Sequence, residues 1–585
     1  MSFPEDARRT ETDVLIIGGG VAGMMAAVGC RRSGVSPVLM TKASFPSGSS
    51  SMARGGYSAA MGHSNPADKP EFLFEDSVQA SYDLCNRRLM RLMSHEAIER
   101  THELDAWGLG LVRMENGLYH QKPSASHRYD RLLHCGKLMG KPLMQSLHKK
   151  MKAWEIASAA HVMFVDLMKE GDRVVGAWGF AYRDGAPVVV HARSTIIATG
   201  GAPQLHEVND SPPYISGDGY AIALRAGADL IDMEFIDYQL MVAAPERIRG
   251  YPPHSSGFIN AGAYLYNKDM ERFMRRYDPE RCERSTRAMV NRAVGTEIYE
   301  GRGTENRGVY LDTCHVFDVV NDGATADIVR VLKNCGVDLS KEPFEVASGP
   351  HTYLGGIRID EWGRTTVEGL YSGGEASGGV HGANRTGGAA LADSYVFGLR
   401  SGMGAACEAK GRECPDPEGG GWREGLERLE ERANRAGGTH AGGRGVDEAR
   451  KEVQRVGAIS IGQIRDGERL EKALLELDGL QRENGEVAAR GDTVRKKWDS
   501  MRKILETDNL IEVARMLAAA ALERKESRGG HFRFDYPDLD SENWTCNIVL
   551  RAEKGRISAH RVAVPGEEAA NPPPGVPETA AMPGD

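Results

Sequence analysis

The chain has 585 residues, with 41% hydrophobic and 26% charged side chains and a formal net charge of −9 at pH 7. This length exceeds one ordinary hydrophobic core, so we expect two or three globular domains. The negative net charge gives no reason to propose nucleic acid or an anionic membrane surface as a partner.

Cysteine spacing and the length of apolar runs argue against several further classes of protein. The nine cysteines are scattered without a C-x-x-C pair, which argues against a disulfide framework, a structural zinc site or an iron–sulfur cluster held by this chain alone. We therefore expect no metal site. The first predicted strand begins near Asp13, which leaves no room for a secretory leader, and no apolar run reaches the ~20 residues that span a bilayer. We expect a cytoplasmic protein without direct membrane insertion, and peripheral attachment through a partner stays open.

The first motif is a glycine-rich turn between a predicted strand and a predicted helix. The apolar run 14–17 leads into Gly18-Gly19-Gly20-Val21-Ala22-Gly23, and small residues continue over 24–29. In such a turn the first glycine permits the bend, the second lets the backbone approach a pyrophosphate, and the third allows close helix–strand packing. The helix N-terminus adds unpaired N–H groups. The motif predicts a dinucleotide site, and the simpler alternative is a tight structural turn.

The next strand, predicted over 36–40, ends without the acid that usually holds an adenosine ribose. Thr41 and Lys42 stand there instead, so the 2′-hydroxyl contact of a simple NAD site is missing. A loop rich in serine and glycine follows over 45–57. It is either a linker or, directly after a dinucleotide-binding unit, a segment whose small residues wrap a flavin.

Three short apolar stretches, at 162–166, 173–181 and 188–192, predict a β-meander. A further strand, 194–197, leads into Thr199-Gly200, which predicts a return of the chain to the first sheet.

Helical periodicity predicts helices within 71–109, at 137–151 and at 220–226. Asp218 stands just before the last of these. Its carboxylate either caps that helix or binds a ribityl or ribose hydroxyl.

The nucleotide-binding pattern is interrupted over 233–351, which predicts an inserted second domain. Residues 411–445 are rich in Gly, Glu and Arg and predict a linker with one charged helix. Helical periodicity then dominates 446–523, which predicts a third, α-helical domain. The tail after 566 is rich in Pro, Ala and Glu and is predicted to be disordered.

Between residues 351 and 398 the sequence carries motifs that are specific enough to indicate a protein family. The motifs there are His351-Thr352-Tyr353-Leu354-Gly355-Gly356-Ile357, Gly374-Glu375 and His381-Gly382-Ala383-Asn384-Arg385-Thr386-Gly387-Gly388. With them, the chain closely resembles the flavoprotein subunits of succinate dehydrogenases and fumarate reductases, a superfamily that includes L-aspartate oxidase. The likeness extends over about residues 13–537.

The resemblance implies an α/β fold with a Rossmann-like FAD-binding domain, an inserted α+β capping domain and a C-terminal helical domain. The implied division is 1–232 and 352–410 for the FAD-binding domain, 233–351 for the capping domain, 411–445 for the linker, 446–565 for the C-terminal domain with the segment that follows it, and 566–585 for the tail.

The resemblance also implies FAD, held without a covalent bond. Respiratory members link the flavin to a histidine in the loop after the second strand, but the matching position in this chain is near Ser49, and no histidine occurs between Thr41 and Gly62. The implied cofactor contacts are Gly18, Gly20, Val21, Ala22, Gly23, Lys42, Ser49, Gly55, Gly56, Thr199, Gly200, Asp218, Glu375 and Arg385.

The implied reaction is hydride transfer between flavin N5 and the Cα–Cβ bond of a small carboxylic acid. This chemistry needs cations that grip a carboxylate and a proton donor that works in a closed site. Arg385 matches the arginine that binds the substrate carboxylate, His351 matches a substrate-binding histidine, and Arg287 matches the arginine that donates the proton. Ala288 replaces the acid that normally follows this arginine, which leaves the proton path open.

Two further positions depart from the family pattern. Gln239 stands where the family carries a histidine that contacts a dicarboxylate, and an amide can donate a hydrogen bond but carries no charge. Ser255 and Ser256 stand where a Thr-Glu pair binds substrate and relays protons, and the adjacent His254 is a candidate replacement for the glutamate. The sequence therefore allows two kinds of substrate, a dicarboxylate or an acid with a different second end.

Three functional alternatives follow. The first is a reductase or dehydrogenase that exchanges electrons with a separate iron–sulfur or other electron-transfer subunit. The second is an oxidase of the L-aspartate type, which works alone. The third is a flavin electron-relay subunit with an altered substrate site, and the presence of both Arg385 and His351 argues against it.

Overall fold

A computed structural model of the chain describes residues 8–136, 138–253, 255–322, 325–416, 418–435 and 445–567. His254, residues 436–444 of the predicted linker and residues 568–585 of the predicted tail lie outside these ranges. None of the helices within them combines the length and the apolarity needed to cross a membrane.

Strands and helices are interspersed along the described part of the chain. In chain order the strands are β1 (Arg8–Ile17), β2 (Pro37–Thr41), β3 (Tyr57–Ser58), β4 (Gln121–Lys122), β5 (Leu132–Leu133), β6 (Ala157–Ala160), β7 (Val162–Glu170), β8 (Arg173–Ala181), β9 (Pro187–Ile197), β10 (Leu230–Ile231), β11 (Ile236–Val242), β12 (Tyr264–Tyr266), β13 (Val309–Asp312), β14 (Phe344–Tyr353), β15 (Gly356–Arg358), β16 (Leu370–Ser372), β17 (Ser377–Gly378), β18 (Ile464–Arg465), β19 (Phe532–Arg533), β20 (Cys546–Glu553) and β21 (Arg556–Ala563). The helices are α1 (Val21–Arg32), α2 (Pro70–Ala80), α3 (Arg87–Ala106), α4 (Gly140–Ala153), α5 (Asp218–Ala226), α6 (Ser255–Ala261), α7 (Met274–Tyr277), α8 (Arg287–Tyr299), α9 (Phe317–Val320), α10 (Ala326–Asn334), α11 (Ala389–Lys410), α12 (Trp422–Asn434), α13 (Val446–Val456), α14 (Gly467–Glu486), α15 (Val494–Glu523) and α16 (Ser541–Trp544).

The largest sheet has the strand order β6-β2-β1-β9-β8-β7, with β16 beside the last residues of β9. Strand β1 lies between β2 and β9 and is parallel to both. Its residues Val14, Leu15 and Ile16 are fully buried, because helices and loops cover both faces of a parallel sheet, and this explains the unbroken apolar run. The antiparallel strands β7 and β8, followed by β9, are the β-meander that the sequence predicts.

Helices α1 and α11 pack against each other at very close range. A Cβ added to Gly29 would lie 2.3 Å from the carbonyl oxygen of Leu399, and one added to Gly402 would lie 2.0 Å from that of Ala26. Glycine at these positions therefore lets the two backbones touch. The contact fixes α1, whose N-terminus follows the glycine turn.

The segment that interrupts the first sheet builds a separate antiparallel sheet with the order β11-β14-β13-β12. Strands β11 and β14 pair along their length, with an irregularity between Asp237 and Tyr238. Such bulges re-aim the neighbouring side chains. This part of the chain has its own hydrophobic core, which includes Leu240, Val242, Leu265, Val294 and Phe344.

The C-terminal part contains the long helices α14 and α15 and then returns to the first half of the chain. Strand β20 pairs with β10, with Leu550 opposite Leu230, and its hairpin partner β21 forms the outer edge of that sheet. Arg524, just after α15, donates to the Glu234 carboxylate across 2.8 Å, and both side chains are fully buried. The last strands and helices are thus joined to the rest of the molecule by a sheet and by a buried ion pair.

Candidate functional site

A cleft with a cavity volume of about 540 Å³ lies between the large sheet and the β11–β14 sheet. It meets the large sheet where β1 and β9 end, which is where ligands bind in open α/β sheets. The predicted site residues that line it are Gly18, Gly20, Val21, Ala22, Lys42, Ser49, Gly55, Gly56, Thr199, Gly200, Asp218, Gln239, Ser255, Ser256, Arg287, His351, Glu375 and Arg385. Gly23 does not line the cleft and lies behind the turn.

The glycine turn has the geometry that its spacing predicts. Gly18 has a φ of +129°, and a Cβ there would lie 2.1 Å from the carbonyl oxygen of Ala198. A Cβ on Gly23 would lie 2.0 Å from the carbonyl oxygen of Gly18, so helix and strand approach closely at this point. A Cβ on Gly20 would meet nothing closer than 3.7 Å, because this position faces the open cleft. The turn thus leaves a backbone-lined space at the N-terminus of α1, which suits an anionic group.

Thr199 also lines the cleft. Its hydroxyl oxygen is buried and has no hydrogen-bond partner among the described residues. A Cβ on Gly219 would lie 2.1 Å from that oxygen, so glycine keeps room for the threonine. An unpartnered buried hydroxyl beside an open cleft indicates a position for a polar ligand.

Lys42 is held by several partners at the end of β2. Its Nζ donates to Ser216 Oγ at 2.8 Å and pairs with Asp218 at 2.5 Å and with Glu506 of α15 at 2.7 Å. Gly217 occupies the N-cap position of α5. The Asp218 carboxylate accepts from Lys42, Ser216 and Asn509, and Asp218 lines the cleft.

The serine-rich loop and Glu375 complete this part of the cleft. Ser49 donates to Ser211 Oγ at 3.2 Å. Glu375 Oε1 accepts from the backbone N–H of Tyr353 at 3.0 Å. Burial raises the pKa of Glu375, and the hydrogen bond from Tyr353 works in the opposite direction.

The two predicted arginines come together on a shared carboxylate. Arg287 Nη2 donates to both oxygens of Asp237, at 2.8 and 2.7 Å, and Arg385 Nη2 lies 3.0 Å from Asp237 Oδ2. Arg385 also donates to Thr352 Oγ1 at 3.3 Å, while its buried Nε has no partner among the described residues. The pair therefore keeps a donor free for a further anion.

Burial and the neighbouring charges both shift the pKa values of Asp237 and Arg385. Burial alone would raise the pKa of Asp237, but the adjacent Arg287 and Arg385 outweigh it and hold that pKa below its ordinary value. Burial lowers the pKa of Arg385, Asp237 opposes the shift, and the second guanidinium of Arg287 adds to it. The three groups form an arginine pair bridged by an ionised carboxylate.

His351 and Gln239 share a second carboxylate, that of Asp210. His351 Nδ1 lies 2.9 Å from Asp210 Oδ2, and Gln239 Nε2 donates to the same oxygen at 2.7 Å. A carboxylate at Nδ1 fixes the orientation of the imidazole ring. Asp210, Gln239 and His351 all line the cleft.

Ser255 and Ser256 begin helix α6 and line the outer part of the cleft. His254, the candidate replacement for a proton-relaying glutamate, lies outside the described residues.

Sequence reasoning missed three acids that define the site: Asp237, Asp210 and Glu506. Asp237 lies in the same stretch as Gln239, where the sequence departs from the family pattern. That departure is the signal that could have identified it. Asp210 stands in the loop after Thr199-Gly200, and Glu506 lies inside a long helix. Neither position carries a local motif that would single it out.

Comparison with known proteins identifies the family. The model of an FAD-binding domain matches residues 13–391, and the model of the fumarate reductase flavoprotein C-terminal region matches residues 450–572. The chain belongs to the succinate dehydrogenase and fumarate reductase flavoprotein family. It is an FAD-dependent oxidoreductase, and the predicted resemblance is confirmed.

Relatives align with this flavoprotein over nearly the whole chain. A subunit of the fumarate reductase (CoM/CoB) of Methanothermobacter marburgensis is 38% identical, and the match covers 92% of this chain and 97% of the relative. The L-aspartate oxidase of Streptomyces coelicolor is 30% identical, with 94% of each chain covered. A solved structure of Mycobacterium smegmatis Sdh1 superposes with a TM-score of 0.87 at 29% identity, over 97% of this chain and 95% of that chain. The predicted fold class is confirmed.

The residues of the flavoprotein's cleft fit FAD. The space at Gly20 that a Cβ would fill and the unpartnered hydroxyl of Thr199 are features that an anionic, hydroxyl-bearing ligand satisfies. Within the described ranges, no group of three or more His, Cys, Asp or Glu side chains is placed to hold a metal ion. The described cysteines, which are free thiols, run from Cys30 to Cys546.

Proposed function

We propose that this flavoprotein transfers a hydride between flavin N5 and a carbon of a small carboxylic acid, at its Cα–Cβ bond. One observation carries the proposal: Arg287 and Arg385, which both line the cleft that contains the glycine turn, meet on one carboxylate. Planar guanidinium groups grip carboxylates in this way. FAD, when bound, supplies the two-electron chemistry of the reaction.

Arg385 is the carboxylate anchor in this proposal. Its side chain is almost fully buried, and its Nε donor is unpaired among the described residues. A charge-assisted hydrogen bond from such a donor contributes roughly 1.5–3 kcal/mol. Thr352, on β14 opposite Asp237, holds the guanidinium in place through its hydroxyl.

Arg287 is the proton donor in this proposal. It is the first residue of α8, and its side chain is 38% exposed, so it can exchange protons with water while one face is held by Asp237. The family carries an acid at the position of Ala288. In this chain, the carboxylate that contacts Arg287 is that of Asp237. Asp237 orients the guanidinium, and transfer of one proton from it balances the hydride on the neighbouring carbon.

His351 and Gln239 bind the other end of the substrate. Both are held by Asp210, and both line the same cleft as the two arginines. The substrate is thereby placed between an arginine end and a histidine–amide end. Such positioning contributes to the rate because the reacting atoms are held in one geometry.

A separate electron-transfer partner belongs to the proposal. The described cysteines are free thiols, and no described cluster is placed to hold a metal. The M. marburgensis relative is named as one subunit of its fumarate reductase. We propose that electrons reach this chain from another protein that carries an iron–sulfur cluster or a further flavin.

The test uses the FAD-loaded protein, reduced under anaerobic conditions and mixed with a panel of 2-enoic acids. Flavin absorbance reports reoxidation. We expect Arg385→Ala to slow reoxidation on the order of 10²-fold, with Arg385→Lys in between, while flavin content stays at the wild-type level. Arg358→Ala is the matched control, because Arg358 pairs with Asp229 away from the cleft.

Reoxidation of Arg385→Ala at the wild-type rate would overturn the anchor role. Hydrogen peroxide formed from L-aspartate in air would favour the oxidase alternative, which the S. coelicolor relative supports. No response to any acid would leave the electron-relay alternative.

A further inference from the structure

The Asp237 carboxylate is a negative charge of the protein itself that lies between the two arginines proposed to bind substrate. Its side chain is 6% exposed, and it contacts Arg287 through both oxygens and Arg385 through one. Two guanidinium groups and one ionised carboxylate carry a net charge of one positive unit. The arginine pair therefore offers half the charge that its two cations would provide alone.

Asp210 does the same for His351. It lies 2.9 Å from His351 and accepts from Gln239. Even when His351 is protonated, its charge is balanced by this carboxylate. Gln239 adds hydrogen-bonding capacity without charge.

The charges of the two arginines, Asp237, His351 and Asp210 together therefore match one substrate carboxylate and not two. A second carboxylate would bind where Asp210 already balances the nearby cation. Placing an unbalanced charge close to a like charge is costly and gives discrimination against the wrong ligand.

We propose that Asp237 is a specificity-determining residue that restricts this flavoprotein to monocarboxylates with an uncharged polar group at the other end. Together with Asp210, it excludes dicarboxylates. This inference rests on the proposed function, because it concerns the same arginine pair. The residue acts through Arg287 and Arg385 and does not itself line the cleft.

The experiment compares two ligands of nearly equal shape, fumarate and its monoamide, on the FAD-loaded protein. Binding is followed by the change in flavin absorbance, and turnover by reoxidation of the reduced flavin. We expect wild-type protein to bind the monoamide at least about tenfold more tightly than fumarate. We expect Asp237→Asn to strengthen fumarate binding at least about tenfold and to change monoamide binding little.

Two variants separate specificity from stability. Asp237→Glu keeps the charge and should retain the preference for the monoamide, even if both affinities fall. Asp229→Asn is the matched control, because Asp229 is also a buried aspartate that contacts two arginines, Arg358 and Arg551, but neither of these arginines lines the cleft. It should leave the ratio of the two affinities unchanged.

Each outcome bears on the inference. If wild-type protein binds fumarate as tightly as the monoamide, or if Asp237→Asn shifts both ligands equally, the inference is wrong and the proposed function stands. If neither ligand perturbs or reoxidises the flavin, and no other acid of the panel does, the proposed function fails as well. A selective gain of fumarate binding in Asp237→Asn supports both.

Discussion

Lys42 and Glu506 form an ion pair, with 2.7 Å between Nζ and Oε1, that joins the end of β2 to helix α15. Glu506 is fully buried and also pairs with Arg450 and Arg502, at 3.1 and 2.6 Å. Lys42 lines the cleft. The wall of the cofactor cleft and the C-terminal helices therefore share one charged contact.

The first prediction concerns the pH dependence of this contact. Burial would raise the pKa of Glu506, but Lys42, Arg502 and Arg450 outweigh it and lower the pKa from 4.5 to about 2. The carboxylate therefore stabilises the fold above about pH 4.5, and this contribution is lost as pH falls towards 2. Its size is on the order of 3 kcal/mol.

We expect Glu506→Gln to lower the thermal unfolding midpoint at neutral pH, and the difference from wild type to shrink as the solution is acidified. Glu523→Gln is the control, because its pair with Arg561 is partly exposed and is worth at most about 1 kcal/mol. A difference that stays constant with pH would contradict the assignment.

The second prediction separates two roles of glycine in the turn. Gly23→Ala would place a Cβ 2.0 Å from the carbonyl oxygen of Gly18, so it should destabilise the FAD-free fold by about 1–3 kcal/mol. Gly20→Ala meets nothing closer than 3.7 Å and should leave the FAD-free fold unchanged while it reduces flavin content. Unfolding midpoints and flavin absorbance measure the two effects. Equal loss of stability in both variants would show that Gly20 does not face the cofactor.

The third prediction concerns the flavin linkage. No histidine occurs between Thr41 and Gly62, and His351 is the only histidine among the described residues that line the cleft. We propose that FAD is held without a covalent bond. Acid precipitation should leave all flavin in the supernatant, with the denatured chain colourless. Yellow precipitate that keeps its flavin through repeated washing would disprove this.

The fourth prediction concerns Asp210. Because it holds both His351 and Gln239, Asp210→Asn should lower kcat/KM about 10- to 100-fold through misplacement of these side chains. Flavin content and the unfolding midpoint should stay close to wild type. Glu207→Gln is the control, because Glu207 pairs with Arg249 and Arg307 outside the cleft. A loss of activity that is matched by a loss of flavin would point to a structural role instead.

Local patterns were sufficient for much of the fold and for the cofactor. The glycine turn, the β-meander and the long C-terminal helices depend on residues close together in the chain, so their sequence periods identify them. The family motifs then placed Arg385, Arg287 and His351, and the structure brings all three to one cleft.

The acidic partners of these residues could not be predicted in the same way. Asp237 and Arg287 are 50 residues apart, and Asp210 and His351 are 141 residues apart. No local period connects them, because each contact arises only when separate strands and loops pack together. The charge balance of the cleft is therefore a property of the tertiary structure.

The pairing of β20 with β10 has a consequence for synthesis of the chain. The edge of β10 that pairs with β20 stays open until Leu550 and Val549 leave the ribosome, more than three hundred residues after Leu230 and Ile231. Contacts so distant in sequence slow folding, and until they form, the edge of β10 is open to pairing with other chains. A fragment that ends before residue 546 would keep that edge exposed, so it should aggregate even though it contains most of the FAD-binding residues.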